Sequence, residues 1–305
     1  ENQLILDDGY TNDVRKLYLR ELIARFGYHN NIIWNIGEEN GPQQSYWPQG
    51  QNDQQRFAMI RYLKDHDPYQ HPVLVHTYPG PHERDHIVKP LLKFDKFDGL
   101  SMQIGDMRDV HSTILRWILE SEENSRPWIV LMDELGPYHT GSKADYEDPD
   151  HDEIRKNVLW GALMAGAAGV EWYFGWENPP NDLNAEDWRS RNNLWEQSKV
   201  AKDFFSQIEY TRMRSMDSLI SLGDNYCFAV PDDTYVIYLK NGSSTKLNLE
   251  GQKGEFQVFW YNPRKGGPFL RTEIKRIQGG TWCNLGFPPK NRYKDWVVLV
   301  KKRVP

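Results

Sequence analysis

The chain has 305 residues, 39% hydrophobic and 26% charged, a size that fits one large domain and a small one. A net charge of −6 excludes the broad basic face of a nucleic-acid binder. No apolar run reaches the length of a membrane-spanning helix. Aromatic residues reach 13%, with 12 Trp and 16 Tyr, so flat stacking surfaces are expected beside an aromatic core. Cys227 and Cys283 are the two cysteines, and their spacing leaves a disulfide and two buried thiols equally open. The chain opens Glu1-Asn2-Gln3 without an initiator Met, and further sequence upstream is expected.

Val14, Leu17, Leu19, Leu22, Ile23 and Phe26 recur at helical spacing and predict an amphipathic helix over 12–28. Residues 31–36 (Asn-Ile-Ile-Trp-Asn-Ile) read as a fully buried parallel strand, closed by Gly37-Glu38-Glu39-Asn40. A polar loop with Trp47 leads to a helix over 54–65, and 71–78 (HPVLVHTY) is a second buried strand. A helix at 87–92, a strand at 99–104, a helix at 110–120 and a strand at 128–133 continue the alternation. It closes with a helix at 153–167, a strand at 169–174 and a helix over 195–213. Five strand–helix alternations imply parallel strands wrapped by helices.

Beyond residue 215 the texture changes. Strand-like runs at 225–230, 234–239, 245–249, 254–261 and 296–301 are punctuated by Asp232-Asp233, Asn241-Gly242 and Gly266-Gly267. They predict a small antiparallel β-sandwich over 216–305, after an α/β domain over 1–215.

Two acids each close an apolar run. Glu39, with Glu38 beside it, follows 31–36, and Glu134 follows 128–133. If both strands belong to one barrel, the two carboxyls face each other across its mouth. Two facing carboxyls are what glycosidic bond cleavage requires. A retaining mechanism uses one such carboxyl as nucleophile and the other as acid/base. His76 and Tyr78, at the next strand end, are expected to orient the nucleophile or contact sugar hydroxyls, with core packing the equal alternative, and Gln103 to contact sugar. Trp47, Trp172 and Trp176 are the expected stacking platforms.

The order of these motifs resembles clan A glycoside hydrolases, in which the acid/base follows the fourth barrel strand and the nucleophile the seventh. The resemblance implies that Glu134 attacks the anomeric carbon, while Glu39 protonates the leaving oxygen and then activates water, with a raised pKa expected for Glu39. His71-Pro72, His76, Phe97-Asp98, Met102-Gln103 and Asp133-Glu134 are similar to the later strands of the apiosidase-like branch, and 157–169 to its helix into the eighth strand. Val236-Ile237-Tyr238-Leu239 and Phe259-Trp260-Tyr261-Asn262-Pro263-Arg264 resemble the β domain often labelled collagen-binding. The resemblance implies strands four to eight of a (β/α)8 TIM barrel, with the first three on an upstream segment of the same protein. Residues 1–305 alone are then expected to be inactive or poorly folded. It also implies a plant or algal polysaccharide or oligosaccharide as substrate, no cofactor or metal, and a secreted or periplasmic location. Glu38 stands where many members carry Asn, which bears on how a sugar 2-hydroxyl is held. A catalytically inactive carbohydrate-binding protein on the same scaffold is the alternative. A remoter one is a zinc peptidase, from His82-Glu83-Arg84-Asp85-His86. The acidic stretch 145–152 lacks the spacing and Gly of an EF-hand loop.

Overall fold

The computed structural model describes residues 2–41, 49–124, 126–136, 139–177, 181, 187–221 and 223–303. Two compact units emerge. One comprises Glu1–Asp106, Arg116–Gly141 and Ala168–Tyr173, the other Met107–Leu115, Ser142–Ala167 and Phe174–Pro305.

The first unit is built on a parallel sheet. Its strands are β1 (Trp34–Asn35), β2 (Val73–His76), β3 (Gly99–Ile104), β4 (Ile129–Leu135) and β5 (Gly169–Val170), paired in sequence order. Strictly sequential order means that each crossover steps the same way round, as in a barrel and unlike a doubly wound sheet. The helices α1 (Asp13–Phe26), α2 (Asp53–His66), α3 (Pro81–Val88) and α4 (Val110–Asn124) alternate with these strands. The sequence is thus an α/β region matching part of a TIM barrel, as expected.

Local chemistry explains the helix starts. Asn52 and Gln55 form a reciprocal capping box on α2, which buries Met59, Ile60 and Leu63. Pro81 at the first position of α3 fits because its missing N–H has no helical partner there.

Several expectations need correction. The helix expected at 87–92 lies at Pro81–Val88, followed by a 3-10 turn at Lys89–Lys93, and the strand expected at 169–174 shortens to Gly169–Val170. The 31–36 strand shortens to Trp34–Asn35 and is not buried: Asn35 is exposed and Ile33 is 41% exposed. Among the described residues β1 pairs on one side only, with β2, so it is an edge strand. Similarly, of the six apolar residues that predict the buried face of α1, only Leu19 is buried, while Val14, Leu17 and Phe26 are exposed. Periodicity reports that a face seeks cover, not that cover is present.

The second unit ends in antiparallel β structure. A six-stranded sheet runs β11 (Arg276–Gln278), β10 (Glu255–Tyr261), β13 (Trp296–Lys302), β8 (Thr234–Leu239), β7 (Asn225–Val230) and β6 (Arg214–Ser215). A two-stranded sheet pairs β12 (Trp282–Asn284) with β9 (Lys246–Asn248). Their shared core includes Ile237, Leu247, Leu249, Val258, Trp260 and Leu285. Cys227 and Cys283 lie in this core as free thiols.

The same unit holds a π-helical turn, Ile154–Leu159, that runs into α5 (Trp160–Ala165), and α6 (Asn192–Phe205). Trp160 stacks on Tyr238 of β8, with ring centroids 5.0 Å apart. The Tyr238 hydroxyl donates to Asp295 at 2.7 Å, and Arg155 donates to the same carboxylate at 2.9 Å. β8 is therefore covered on both faces and is buried throughout, which is why its sequence shows no alternation. Among the described residues no helix is long and apolar enough to cross a membrane.

Candidate active site

The chain leaves β1 through a turn with unusual backbone. Gly37, Glu39 and Gly41 all have positive φ, at 130°, 44° and 60°. Glu39 is thus a non-glycine residue in the left-handed region, a strain of the kind that collects at functional sites. Buried polar side chains hold the turn. The Gln3 amide donates to the carbonyls of Glu38 and Glu39 at 2.8 and 3.3 Å. Asn40, fully buried, donates to Ile36 O and Gln51 Oε1 and accepts from Arg56 Nε at 2.8 Å. A Cβ on Gly41 would come within 2.1 Å of Arg56 Nη2, so only glycine lets that guanidinium approach.

His76, the last residue of β2, links this turn to the far acid. Its Nδ1 accepts the Glu39 backbone N–H at 3.1 Å, and its Nε2 lies 3.6 Å from Glu134 Oε2. Burial lowers the His76 pKa to about 4. The ring is therefore neutral at ordinary pH, and an Nδ1 that accepts places the proton on Nε2. The approach to Glu134 is an N–H facing a carboxylate at more than hydrogen-bond distance, not an ion pair.

Glu134 is held more tightly from β3, where Gln103 Nε2 donates to its Oε1 at 2.7 Å. Gln103 is 4% exposed and fixed by its own backbone N–H bond to Thr77 Oγ1 at 3.2 Å. The register between β3 and β4 slips here: Met102 faces Met132, but Gln103 faces Glu134, which leaves Asp133 as an extra residue. A bulge of this kind re-aims side chains. Ser101 Oγ donates to Asp133, and Gln103 to Glu134. Ser101 and Gln103 are two apart on β3 and share a face, so the consecutive acids Asp133 and Glu134 both turn towards it. Asp133 is pushed up to about 6, chiefly by burial and further by the charge of Glu171, against the pull of the Ser101 bond.

The remaining expected residues lie as follows. Glu38 is exposed, while Tyr78 and Trp172 are buried at 9% and 6% exposure. Trp176 belongs to the second unit and is 51% exposed. Trp47 lies outside the described residues. Gln3, Asn40, Ser101 and Asp133 escape sequence reasoning. Asp133 adjoins Glu134, yet strand alternation assigns neighbours to opposite faces, and nothing in the sequence marks the bulge.

Among the described residues no three His, Cys, Asp or Glu side chains gather as a metal shell. His82 of the His-Glu-x-x-His run has an 82% exposed side chain. The acidic stretch is instead organised round His151, fully buried, whose Nε2 lies 2.8 Å from Asp145 Oδ1.

Residues 217–301 match the family described as "Putative collagen-binding domain of a collagenase". No curated protein matches the chain. Among solved structures it is similar to a glycoside hydrolase, with TM-score 0.69 and 15% identity over 94% of this chain and 68% of that one. It is likewise similar to a glycoside hydrolase family 5 protein from Bacteroides vulgatus, with TM-score 0.68 and 16% identity over 94% of this chain and 65% of that one. The chain thus spans about two thirds of the length of these structures, and at such identity the likeness is one of fold. The chain has a glycoside hydrolase-like fold followed by a β domain, and the carboxylates described above sit at the strand ends of that fold.

Proposed function

We propose that the chain carries the catalytic carboxyls of a retaining glycoside hydrolase of the apiosidase-like branch, with a plant or algal polysaccharide or oligosaccharide as substrate. Glu134 is the nucleophile and Glu39 the acid/base. The observation that carries this reading is His76: one neutral imidazole accepts the Glu39 amide and faces the Glu134 carboxylate. Such a ring sets the distance between the two residues without adding a charge that would stabilise Glu134 before reaction.

Gln103 fixes one oxygen of the nucleophile in place. Among the described residues its own Oε1 is buried without a hydrogen-bond partner. A sugar hydroxyl donated to that oxygen satisfies it, which suits Gln103 to substrate binding as well. Glu38, Trp47, Tyr78 and Trp172 remain the proposed sugar contacts.

The five strands are read as strands four to eight of the barrel, with the first three contributed by sequence upstream of residue 1. The one-sided pairing of β1 and the exposed apolar side chains of α1 support this reading. The boundary between barrel and β domain is placed near residue 215, and the enzyme is secreted or periplasmic.

The test uses the full-length protein on a panel of plant and algal polysaccharides, with product anomers followed by NMR. Wild type should release sugar with retained configuration. Glu134→Ala and Glu39→Gln should each abolish release while the fold persists. Unchanged turnover in either variant sinks that residue's role.

A further inference from the structure

The β domain carries a groove of its own. A cavity of about 780 Å³ opens on its surface, lined by Trp282, Ser218, Ile220, Ser221 and Asn225 among others. That volume falls within the range of small-molecule sites, about 300–1,000 Å³.

Trp282 is the unexpected residue. On β12 the inward position is Cys283, 9% exposed, so alternation turns Trp282 outward, where a polar residue would serve the fold as well. It is 39% exposed, so its indole offers apolar surface to a ligand.

The lining around Trp282 is mostly polar and held in place. Asn225 Oδ1 accepts the Lys240 N–H at 3.1 Å, which leaves its amide NH2 to donate. Ser221 Oγ is fixed between Thr245 Oγ1 at 2.9 Å and the Lys246 N–H at 3.1 Å. Ser218 contributes an exposed hydroxyl. Asp217, the one charged residue of the lining, is engaged inside the unit: Oδ1 accepts the Cys227 N–H at 2.7 Å and Oδ2 faces His111 Nε2 at 2.8 Å.

We infer that this groove is a carbohydrate-binding site, with a pyranose ring stacked on Trp282 and its hydroxyls hydrogen-bonded by Asn225 and Ser218. The lining holds no Lys or Arg, which disfavours a phosphate or an anionic lipid. A proline-rich or collagen-like peptide would dock on several aromatic ridges, and this groove has one. A pyranose is neutral and has one apolar face and a rim of donors and acceptors, which suits an indole beside hydroxyl and amide groups. The inference rests on the groove's own chemistry and does not require the carboxylates of the parallel sheet to be catalytic.

The full chain is tested by affinity gel electrophoresis in xyloglucan, arabinoxylan, pectin and laminarin, with immobilised collagen as a separate arm. Wild type should be retarded by at least one polysaccharide. Trp282→Ala should weaken that retardation at least tenfold, and so should Ser218→Trp, which fills the groove from an exposed position and leaves β12 intact. Turnover of a short soluble oligosaccharide by the same preparations is followed in parallel, so loss of catalysis and loss of this site are read separately. No retardation in any of the four, equal retardation of wild type and both variants, or Trp282-dependent capture on collagen alone overturns the assignment.

Discussion

Gln103 Nε2 and Glu134 Oε1 meet at 2.7 Å because the β3–β4 register slips by one residue at Asp133. A regular ladder would set Glu134 against a different neighbour and turn it to the other face. The acid proposed as nucleophile is therefore aimed by a backbone irregularity and then fixed by a buried amide.

Removing that amide should be felt in turnover. A hydrogen bond to a charged group contributes about 1.5–3 kcal/mol. Gln103→Ala in the full-length protein should thus lower kcat/KM by about 10- to 100-fold, with the thermal midpoint little changed. An unaltered kcat/KM would remove Gln103 from the site.

His76 should stay neutral far below the usual histidine range, with its pKa lowered to about 4 by burial. The unfolded chain takes up this proton near 6.5 and the folded one near 4. The stability tied to a neutral His76 is therefore fully present above 6.5 and is lost as pH falls towards 4. Long-range 15N–1H spectra should show an Nε2-protonated ring at pH 6. An imidazolium spectrum at that pH would contradict the geometry.

Asp133 behaves in the opposite sense. Its folded pKa, pushed up to about 6, exceeds the ordinary carboxylate value of 3.8. Its contribution is fully present below the ordinary value and is lost as pH rises through 6. Asp133→Asn keeps an acceptor for Ser101 without the charge. The variant should gain on the order of 1–3 kcal/mol over wild type at pH 7.5 and little at pH 4. Denaturant titrations at the two pH values measure this, and equal gains at both would refute the buried-charge explanation.

In the second unit Asp295 is the hub of a buried network. It receives Arg155 at 2.9 Å, Arg264 at 2.8 Å and Tyr238 at 2.7 Å. Asp295→Ala would remove the buried carboxylate shared by two guanidinium groups and one phenol, so a loss of about 3–5 kcal/mol is expected in urea unfolding. A loss under 1 kcal/mol would show that water replaces the carboxylate.

Much of the fold was legible in the residues. The strands at 99–104, 225–230 and 234–239 match β3, β7 and β8 at both ends, because turn residues bracket compact apolar runs. β6, β11 and β12 were not legible. Two or three residues long and mostly exposed, they carry no periodicity to read.

The site divides the same way. Glu39, Glu134, His76 and Gln103 could be named from the sequence because each closes or ends an apolar run, and strand ends are where barrel chemistry sits. The sequence by itself determined which residue types stand at those ends and that the strands are parallel. Only the tertiary structure decided that His76 bridges the Glu39 turn and Glu134, that Gln3 and Asn40 pin the turn, and that Asp133 shares a face with its neighbour. Those facts depend on register, on a bulge and on contacts between residues more than thirty positions apart, and local side-chain pattern encodes none of them.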